Sequence, residues 1–421
     1  MKSNLFVSEY GADRERVLLF GLLLATTCYL CVLSFLNARG LRVSSALVGL
    51  TEALLYFLCI ALQFRRLPFG TVVFSICVFS WLVFTWLVRD ELDPKGLRDI
   101  IIPLLFISLG RYVNAPPLAD IFLRRITIVL VVIGLFEVFF TDAYARLFNT
   151  FSFYVNLGGI RESSAMFEGQ MLTLNGYRPE GIGRTILPFL FGSHRASSTL
   201  MEPVSFGNFA VILLAWGLSK SWKDIAQTPF FIVAAVLIIS LADSRFGILM
   251  GFVLLLARCV PYKILSRLAP LIPVAAFFLV LGIAYFLPNK GDNILGRVTR
   301  SGMELLKFDW TLVLGLHGPL PNFGDMGYAY VLSRFGAPLV LVFLFSLFLI
   351  PMKDEQGIRF RALILFYFSA NLAISGTSIF ALKTAGICWF LFGVLALADK
   401  KSSSKTVPTQ YPAHNTPMRF S

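Results

Sequence analysis

The chain has 421 residues, 57% of them hydrophobic, 14% aromatic and only 14% charged, with a mean hydropathy of +0.76. Soluble chains carry about 25% charged residues, so this composition excludes an ordinary soluble domain, a disordered protein and a disulfide scaffold. Twelve membrane helices of about 20 apolar residues would use roughly 240 residues, close to the hydrophobic share, and the expectation is one all-α polytopic transmembrane bundle of about 12 helices.

Apolar spans fall at about 17–36, 45–63, 70–88, 99–110, 126–140, 199–218, 229–241, 246–259, 268–287, 326–350, 361–376 and 378–397. The fourth, fifth, seventh and eighth are short for a crossing and would have to borrow flanking residues, tilt or thin the bilayer. The first, Val17–Leu36, has no evident cleavage site and reads as an anchor. No internal repeat of useful length is present.

The net charge of +13 would suggest nucleic acid in a soluble protein. Here the basic residues instead mark cytoplasmic loops. With the N-terminus inside, Lys2, Arg14, Arg16, Arg65, Arg66, Arg111, Arg124, Arg125, Lys220, Lys223, Arg258, Lys263, Arg267, Lys353, Arg359, Arg361 and four tail residues all fall on that side. An anionic partner on the opposite face is the second option. An even number of spans puts the C-terminus inside as well. Residues 1–398 read as one membrane domain, and the polar tail 399–421, with Ser402–Ser404, reads as disordered. Six cysteines lie in or beside apolar runs as small filler. Three histidines without clustered cysteines argue against zinc.

Two extracytoplasmic segments are long, about 141–198 and about 288–325, and contain aromatics, glycines and prolines. Long loops in a compact protein are usually functional or disordered. The first carries Arg161, Glu162, Arg178, Glu180, Arg184, His194 and Arg195, and runs through Ser197, Ser198 and Glu202 to Pro203. A helix starting by Ser198 would place Ser198 and Glu202 on one face. Arg195 and Glu202 read either as a charged helix end or as the lining of an outward polar cavity. The turn Asp243-Ser244-Arg245 either stops two helices in water or is recessed into a cavity, which would fix Arg245 as a cation near the surface. Guanidinium binds phosphate bidentately and keeps its charge.

The second segment carries Arg297, Arg300, Lys307, Asp309, His317 and Asp325, with Arg334 following inside the tenth span. His317, between glycines and a proline, is a structural turn residue or a general base. Asp325 is a helix cap or an acid–base group. Arg334 needs an anion or a carboxylate partner. Glu52 and Glu137, inside spans, read as proton-relay groups or as partners of Arg, Ser and Thr. Lys383 could snorkel to the outer surface. There is no GxxxxGK[ST] and no Gly-rich nucleotide fingerprint, which argues against ATP-driven transport by this chain alone. No DxD-like motif stands in either long loop, and no metal is expected.

The order of these features resembles the O-antigen polymerase and O-antigen ligase superfamily. The features are a large outside loop, an Arg-x-Ser-Ser…Glu-Pro approach to the next helix, a Ser-Arg turn, and a second loop ending near Gly-Asp-x-Gly-Tyr…Arg-Phe-Gly. The stretch Arg195–Pro203 looks most like bacterial exopolysaccharide polymerases. The resemblance implies a multi-pass protein of the bacterial inner membrane with a C-type-like glycosyltransferase fold. It would transfer an undecaprenyl-pyrophosphate-linked glycan onto another lipid-linked repeat unit, without metal, cofactor or nucleotide sugar. It implies pyrophosphate-binding roles for Arg195, Arg245 and Arg297, with Arg334 close by. Glu202, His317 and Asp325 become the candidates to deprotonate the acceptor. The paired Arg-x10-Gly motifs of some polymerases are missing from both loops. The alternatives are a ligase moving glycan to a lipid acceptor, and a secondary transporter or glycan flippase. Expected partners are the lipid-linked oligosaccharide, the bilayer, and the chain-length regulator and flippase of the same pathway, with no nucleic acid.

Overall fold

The computed structural model describes residues 3–64, 67, 69–158, 171–172, 184–221, 228–287, 291, 293–324, 326–374, 376 and 378–397, with backbone alone for 3–12. The predicted tail 399–421 lies outside the described residues. The helices are α1 Ser3–Ala38, α2 Ser45–Gln63, α3 Phe69–Arg89, α4 Pro94–Val113, α5 Pro116–Phe139, α6 Thr141–Phe148, α7 Thr150–Asn156, α8 Pro188–Phe191 and α9 Pro203–Ser219. They continue as α10 Thr228–Ala242, α11 Arg245–Cys259, α12 Tyr262–Leu268, α13 Leu271–Phe286, α14 Ile294–Leu305, α15 Trp310–Leu314, α16 Gly327–Leu349, α17 Glu355–Ile374 and α18 Leu382–Leu395. Among the described residues there is no strand, only an isolated bridge between Met352 and Ala396.

Local chemistry sets the ends of these helices. Ser44, Asp93, Ser244, Asn293 and Asp309 each accept a first-turn amide at the N-cap of α2, α4, α11, α14 and α15. Proline opens α4, α5 and α9, where its missing N–H costs nothing. Left-handed Asn114 and Asn149 end α4 and α6.

Five helices are long and apolar enough to cross a membrane: α1 from Asp13, α2, α3, α16 and α17. The count is seven if α5 with α6 and α7, bent by 112°, and α11 with α12, bent by 119°, each form one span. Four shorter apolar helices accompany them: α9, α10, α13 and α18. The short α9 and α18 are buried nearly all round, the mark of helices at the centre of a bundle. By contrast, α2 and α3 bury little of their surface and lie at its edge.

Two of the predicted short spans lengthen. Helix α4 begins five residues before the predicted 99–110 and α5 ten before the predicted 126–140. Their first turns are charged but paired within the bundle: Arg98 with Asp99, and Asp120 with Lys220 at 2.8 Å. Apolarity alone therefore underestimates both helices. The expectation for α10 and α11 holds, at 15 residues each.

The hydrogen bonds define two ends of the bundle. At the short-turn end, Asp120 accepts from Trp216 and Lys220, Arg258 donates to the Lys220 carbonyl, Arg359 to the Arg258 carbonyl, and Lys353 to the carbonyls of Asn114 and Val394. The opposite, loop-rich end gathers α6, α7, residues 184–202, and α14 to α15.

The centre is held by α4 against α18, which approach backbone to backbone. A Cβ on Gly110 would lie 2.1 Å from the Phe390 oxygen, and one on Gly393 would lie 2.1 Å from the Ile107 oxygen. Gly110→Val and Gly393→Val should each cost about 3 kcal/mol through overpacking. Gly21→Val, where the added atom meets nothing within 4 Å, should be close to neutral. Thermal unfolding of the purified variants in one detergent checks the contrast; equal melting of all three would refute the close approach.

Candidate functional site

The segment from Arg184 to Glu202 is irregular backbone set into the bundle. A chain so placed must find partners for its amides and carbonyls inside the protein. Charged side chains supply them. Glu137, at the end of α5, accepts from the amides of Ser197 and Ser198 at 2.8 and 2.6 Å, from the Ser197 hydroxyl at 2.8 Å, and sits 2.8 Å from Nε2 of His194. Arg184 donates to the carbonyls of Ile186, Phe191, His194, Ser240 and Leu241. Asp243 accepts from the amides of Thr185 and Ile186 and from the Thr185 hydroxyl. Of the two readings of Glu137, pairing with serines describes its geometry.

This arrangement corrects the expected helix over Ser198 and Glu202. Ser198 has φ 53° and Met201 φ 62°, both left-handed, and α9 begins only at Pro203 with Glu202 as N-cap. Ser198–Leu200 forms a single 3-10 turn. The amides of Ser197 and Ser198 are spent on Glu137, so Ser198 and Glu202 do not share a helical face.

Arg195 leaves this segment toward the turn between α10 and α11, where its Nε donates to the Ala242 carbonyl at 3.1 Å. The turn itself is recessed. Asp243 is fully buried with φ 47°, which removes the reading in which it simply faces water. Arg245 is the first residue of α11, half-buried, with no hydrogen bond or ion pair among the described residues. The Arg195 side chain therefore reaches the same turn from which Arg245 starts α11.

Glu202 heads α9, the helix whose Gly207 packs against Ser244 of that turn. Its carboxylate accepts from Ser205 Oγ at 2.8 Å and pairs with Lys383 Nζ at 2.7 Å. Lys383 also donates to the Leu200 carbonyl and is only 6% exposed, so it does not snorkel to the surface as expected. The carboxylate within reach holds it inside. One turn deeper, Asn208 bonds Ser378 and Asn371.

Arg297 and Arg300 lie exposed on α14 and line a polar cavity of about 310 Å³ with Asn322, Phe323, Met326 and Ile374. A second, almost wholly apolar groove of about 340 Å³ runs between α13 and α16, lined by Phe277, Tyr328, Leu332, Phe335 and Leu372 among others. The two spaces share no lining residue, but both draw on the start of α16 and the end of α17: Met326 and Ile374 line the first, Tyr328 and Leu372 the second. Helix α16 breaks at Gly336 (φ 71°, ψ 153°), two residues before Pro338. Helix α17 also leads back to the arginine turn. Phe246, next to Arg245, contacts the Tyr367 ring at 6.2 Å. Tyr367 and Ile374, seven residues apart, share a face of α17 about 10 Å apart along its axis.

Arg334 lies in another group. It pairs with Asp93 and lies 4.6 Å from the Tyr330 ring centroid. Tyr330 donates to Asp99 at 2.5 Å, Arg98 bonds Asp99 at 2.8 Å and approaches Glu52 at 3.7 Å, and Tyr29 donates to Glu52 at 2.6 Å. The carboxylate partner expected for Arg334, and an arginine for Glu52, are thus both present. Sequence alone did not single out Arg98, Asp99, Lys95 or Tyr330, because their charges looked like the flank of a short span.

His317 is half-buried, with Nδ1 3.2 Å from the Thr311 hydroxyl. Near it, the amide of Leu312 and the hydroxyl of Thr311 hold the Asp309 carboxyl below its usual range. The following Gly318 rests on the Arg89 backbone, and the Leu320 amide donates to Glu91 at 2.7 Å. Asp325, Arg161, Glu162, Arg178 and Glu180 lie outside the described residues. Among the described residues no group of His, Cys, Asp and Glu is placed to hold a metal ion.

Glu137→Ala would leave two buried amides without an acceptor, at about 1–3 kcal/mol each. It should lower the unfolding temperature markedly, whereas Glu137→Gln, which keeps one carbonyl oxygen, should lower it less. Calorimetry in detergent reads both; a neutral alanine variant would mean that the Ser197–Ser198 turn does not depend on Glu137. No family model matches the chain, and no curated protein or solved structure is found to be similar to it.

Proposed function

We propose that the chain is a bacterial inner-membrane polymerase that joins lipid-linked glycan repeat units, with twelve crossings and the loop-rich end outside. The observation that carries this reading is the presence, near the ends of α16 and α17, of both an arginine-lined cavity and an almost wholly apolar groove. That pairing suits a ligand with an anionic head and a long hydrocarbon tail. Arg195 and Arg245 supply further cations at the turn reached along α17.

The chemistry follows from those charges. An acceptor hydroxyl attacks the anomeric carbon of the donor sugar, the bond to the pyrophosphate oxygen breaks, and the lipid pyrophosphate leaves with the electron pair. Charge grows on that leaving group, and preorganised guanidinium groups stabilise it. The hydroxyl proton passes to a carboxylate or imidazole. Glu202, already aligned by Ser205 and Lys383, is the described carboxylate closest in sequence to the arginine segment, with His317 the described alternative. The basic chain at the short-turn end, from Arg111 to Arg359, fits a cytoplasmic face.

Two expected outcomes test the reading. Reporter fusions near residue 170 and at the C-terminus should fall on opposite sides of the membrane, and finding both on one side overturns the topology. Purified protein in lipid nanodiscs, given a lipid-linked repeat unit, should produce a ladder of longer glycans. Arg195→Lys and Arg245→Lys keep charge but lose the bidentate fork, so each should slow the ladder by about 100-fold at unchanged protein level. Transfer to a separate lipid acceptor without a ladder would indicate a ligase, and movement of intact donor across the bilayer a transporter.

A further inference from the structure

The first long segment carries an apolar tip that the chemistry above does not use. Leu187, Phe189 and Leu190 are exposed, Phe189 to 85%, in and beside the one-turn helix α8. Phe191 of the same turn contacts the Phe139 ring at 6.4 Å. The tip therefore stands at the end of α5, where Phe139 and Phe140 are exposed as well. Its base is rigid. Arg184 donates to the carbonyls of Ile186 and Phe191 and lies 4.9 Å from the Phe191 ring centroid, while Asp243 accepts the amides of Thr185 and Ile186. Leu187 itself is left-handed, at φ 46°. A tip pinned in this way cannot turn its side chains inward, and a cluster of large apolar side chains held out in water is unfavourable.

Helix α5 shows what meets the tip. Its exposed large apolar residues are Ile121, Ile128, Val132 and Phe139, and their spacing of seven, four and seven puts them on one face. Together with α6 and α7, α5 is apolar enough to form a membrane span. An outward apolar stripe on such a helix faces hydrocarbon. The stripe ends at Phe139 and continues onto α8 through the contact with Phe191. The chain bends by 112° directly after Phe139, so the tip lies where α5 gives out and not at mid-span. The same chemistry recurs at a second place on the loop-rich end. Tyr285 and Phe286 close α13 and Trp310 opens α15, all three exposed. Aromatic side chains at the ends of crossing helices mark the membrane–water interface. A protein partner would have to match two unrelated places, whereas one bilayer surface meets both.

We propose that the α8 tip is a membrane-docking surface, with Phe189 and Leu190 set into the headgroup and upper acyl region of the leaflet beside the end of α5. The partner is the lipid surface itself, met through apolar burial at the depth usual for interfacial segments. The segment that carries Arg195 is then tied down on two sides, to the bundle through Arg184 and Asp243 and to the bilayer through Phe189. This goes beyond the glycan-joining reading and stands without it.

The test uses the full chain in nanodiscs of zwitterionic lipid, with trifluoromethyl-phenylalanine in place of Phe189 to give a single fluorine signal. Its broadening is compared for lipid spin-labelled near the headgroup, lipid spin-labelled near the chain end, and a water-soluble gadolinium chelate. The headgroup-proximal label should broaden it most. The same residue in place of Phe57, exposed in the middle of α2, should broaden most with the chain-end label and so calibrates depth. Stronger broadening at Phe189 by the chelate than by either lipid places the tip in water and overturns the proposal. Strongest broadening by the chain-end label sinks the tip into the hydrocarbon core and overturns the interfacial placement. Broadening by none of the probes means that another segment or a second copy of the chain covers the tip, and overturns it as well.

Discussion

Irregular backbone inside an apolar bundle survives only if side chains replace water as its hydrogen-bonding partner. Residues 184–202 meet that condition through three charges, and much of the loop-rich end depends on them. Glu137 collects two amides and a hydroxyl, Arg184 collects five carbonyls, and Asp243 collects two amides and a hydroxyl. Each side chain also neutralises part of its own burial cost, because a buried ion with several hydrogen bonds is far cheaper than a bare one. The segment gains a fixed shape from this, with left-handed Leu187, Ser198 and Met201 held against their preference. Arg195 is aimed at the α10–α11 turn as a consequence.

This spending divides the charged residues of the loop-rich end into two kinds. Glu137, Arg184, Asp243, Arg89 and Arg98 are saturated by the protein and act as struts. Arg245 and Arg300 form no ion pair among the described residues, and Arg334 retains part of its fork.

Much of the helical layout was legible from apolar runs, since helices overlie the predicted spans. The exceptions have one cause. Where charges are paired inside the bundle, as Arg98 with its neighbour Asp99 and Asp120 with the distant Lys220, hydropathy falls although the helix continues, so α4 and α5 were read too short. Lys383 was misplaced for the same reason, because Glu202 is 181 residues away in sequence and its proximity is purely tertiary. Arg184 could not have been singled out, since its partners are backbone carbonyls and leave no trace in residue type. The run from Arg195 to Pro203 did stand out, because Pro203 and the serines mark a helix start, yet its left-handed turns could not be read from residues that normally avoid them.

Helix α16 begins with a short stub that presents two faces. In its first two turns Tyr328, Val331, Leu332 and Phe335 line the apolar groove, while Tyr330 and Arg334 face α4. The spacing of three and four within each set makes these two faces of one short helix. The break at Gly336 is where this stub separates from the rest of α16. Gly315 packs against it so closely that a Cβ there would lie 2.7 Å from the Gly336 nitrogen. The second long segment therefore touches the hinge of the stub, rests on Arg89 and Glu91, and through α14 carries Arg297 and Arg300 over the polar cavity.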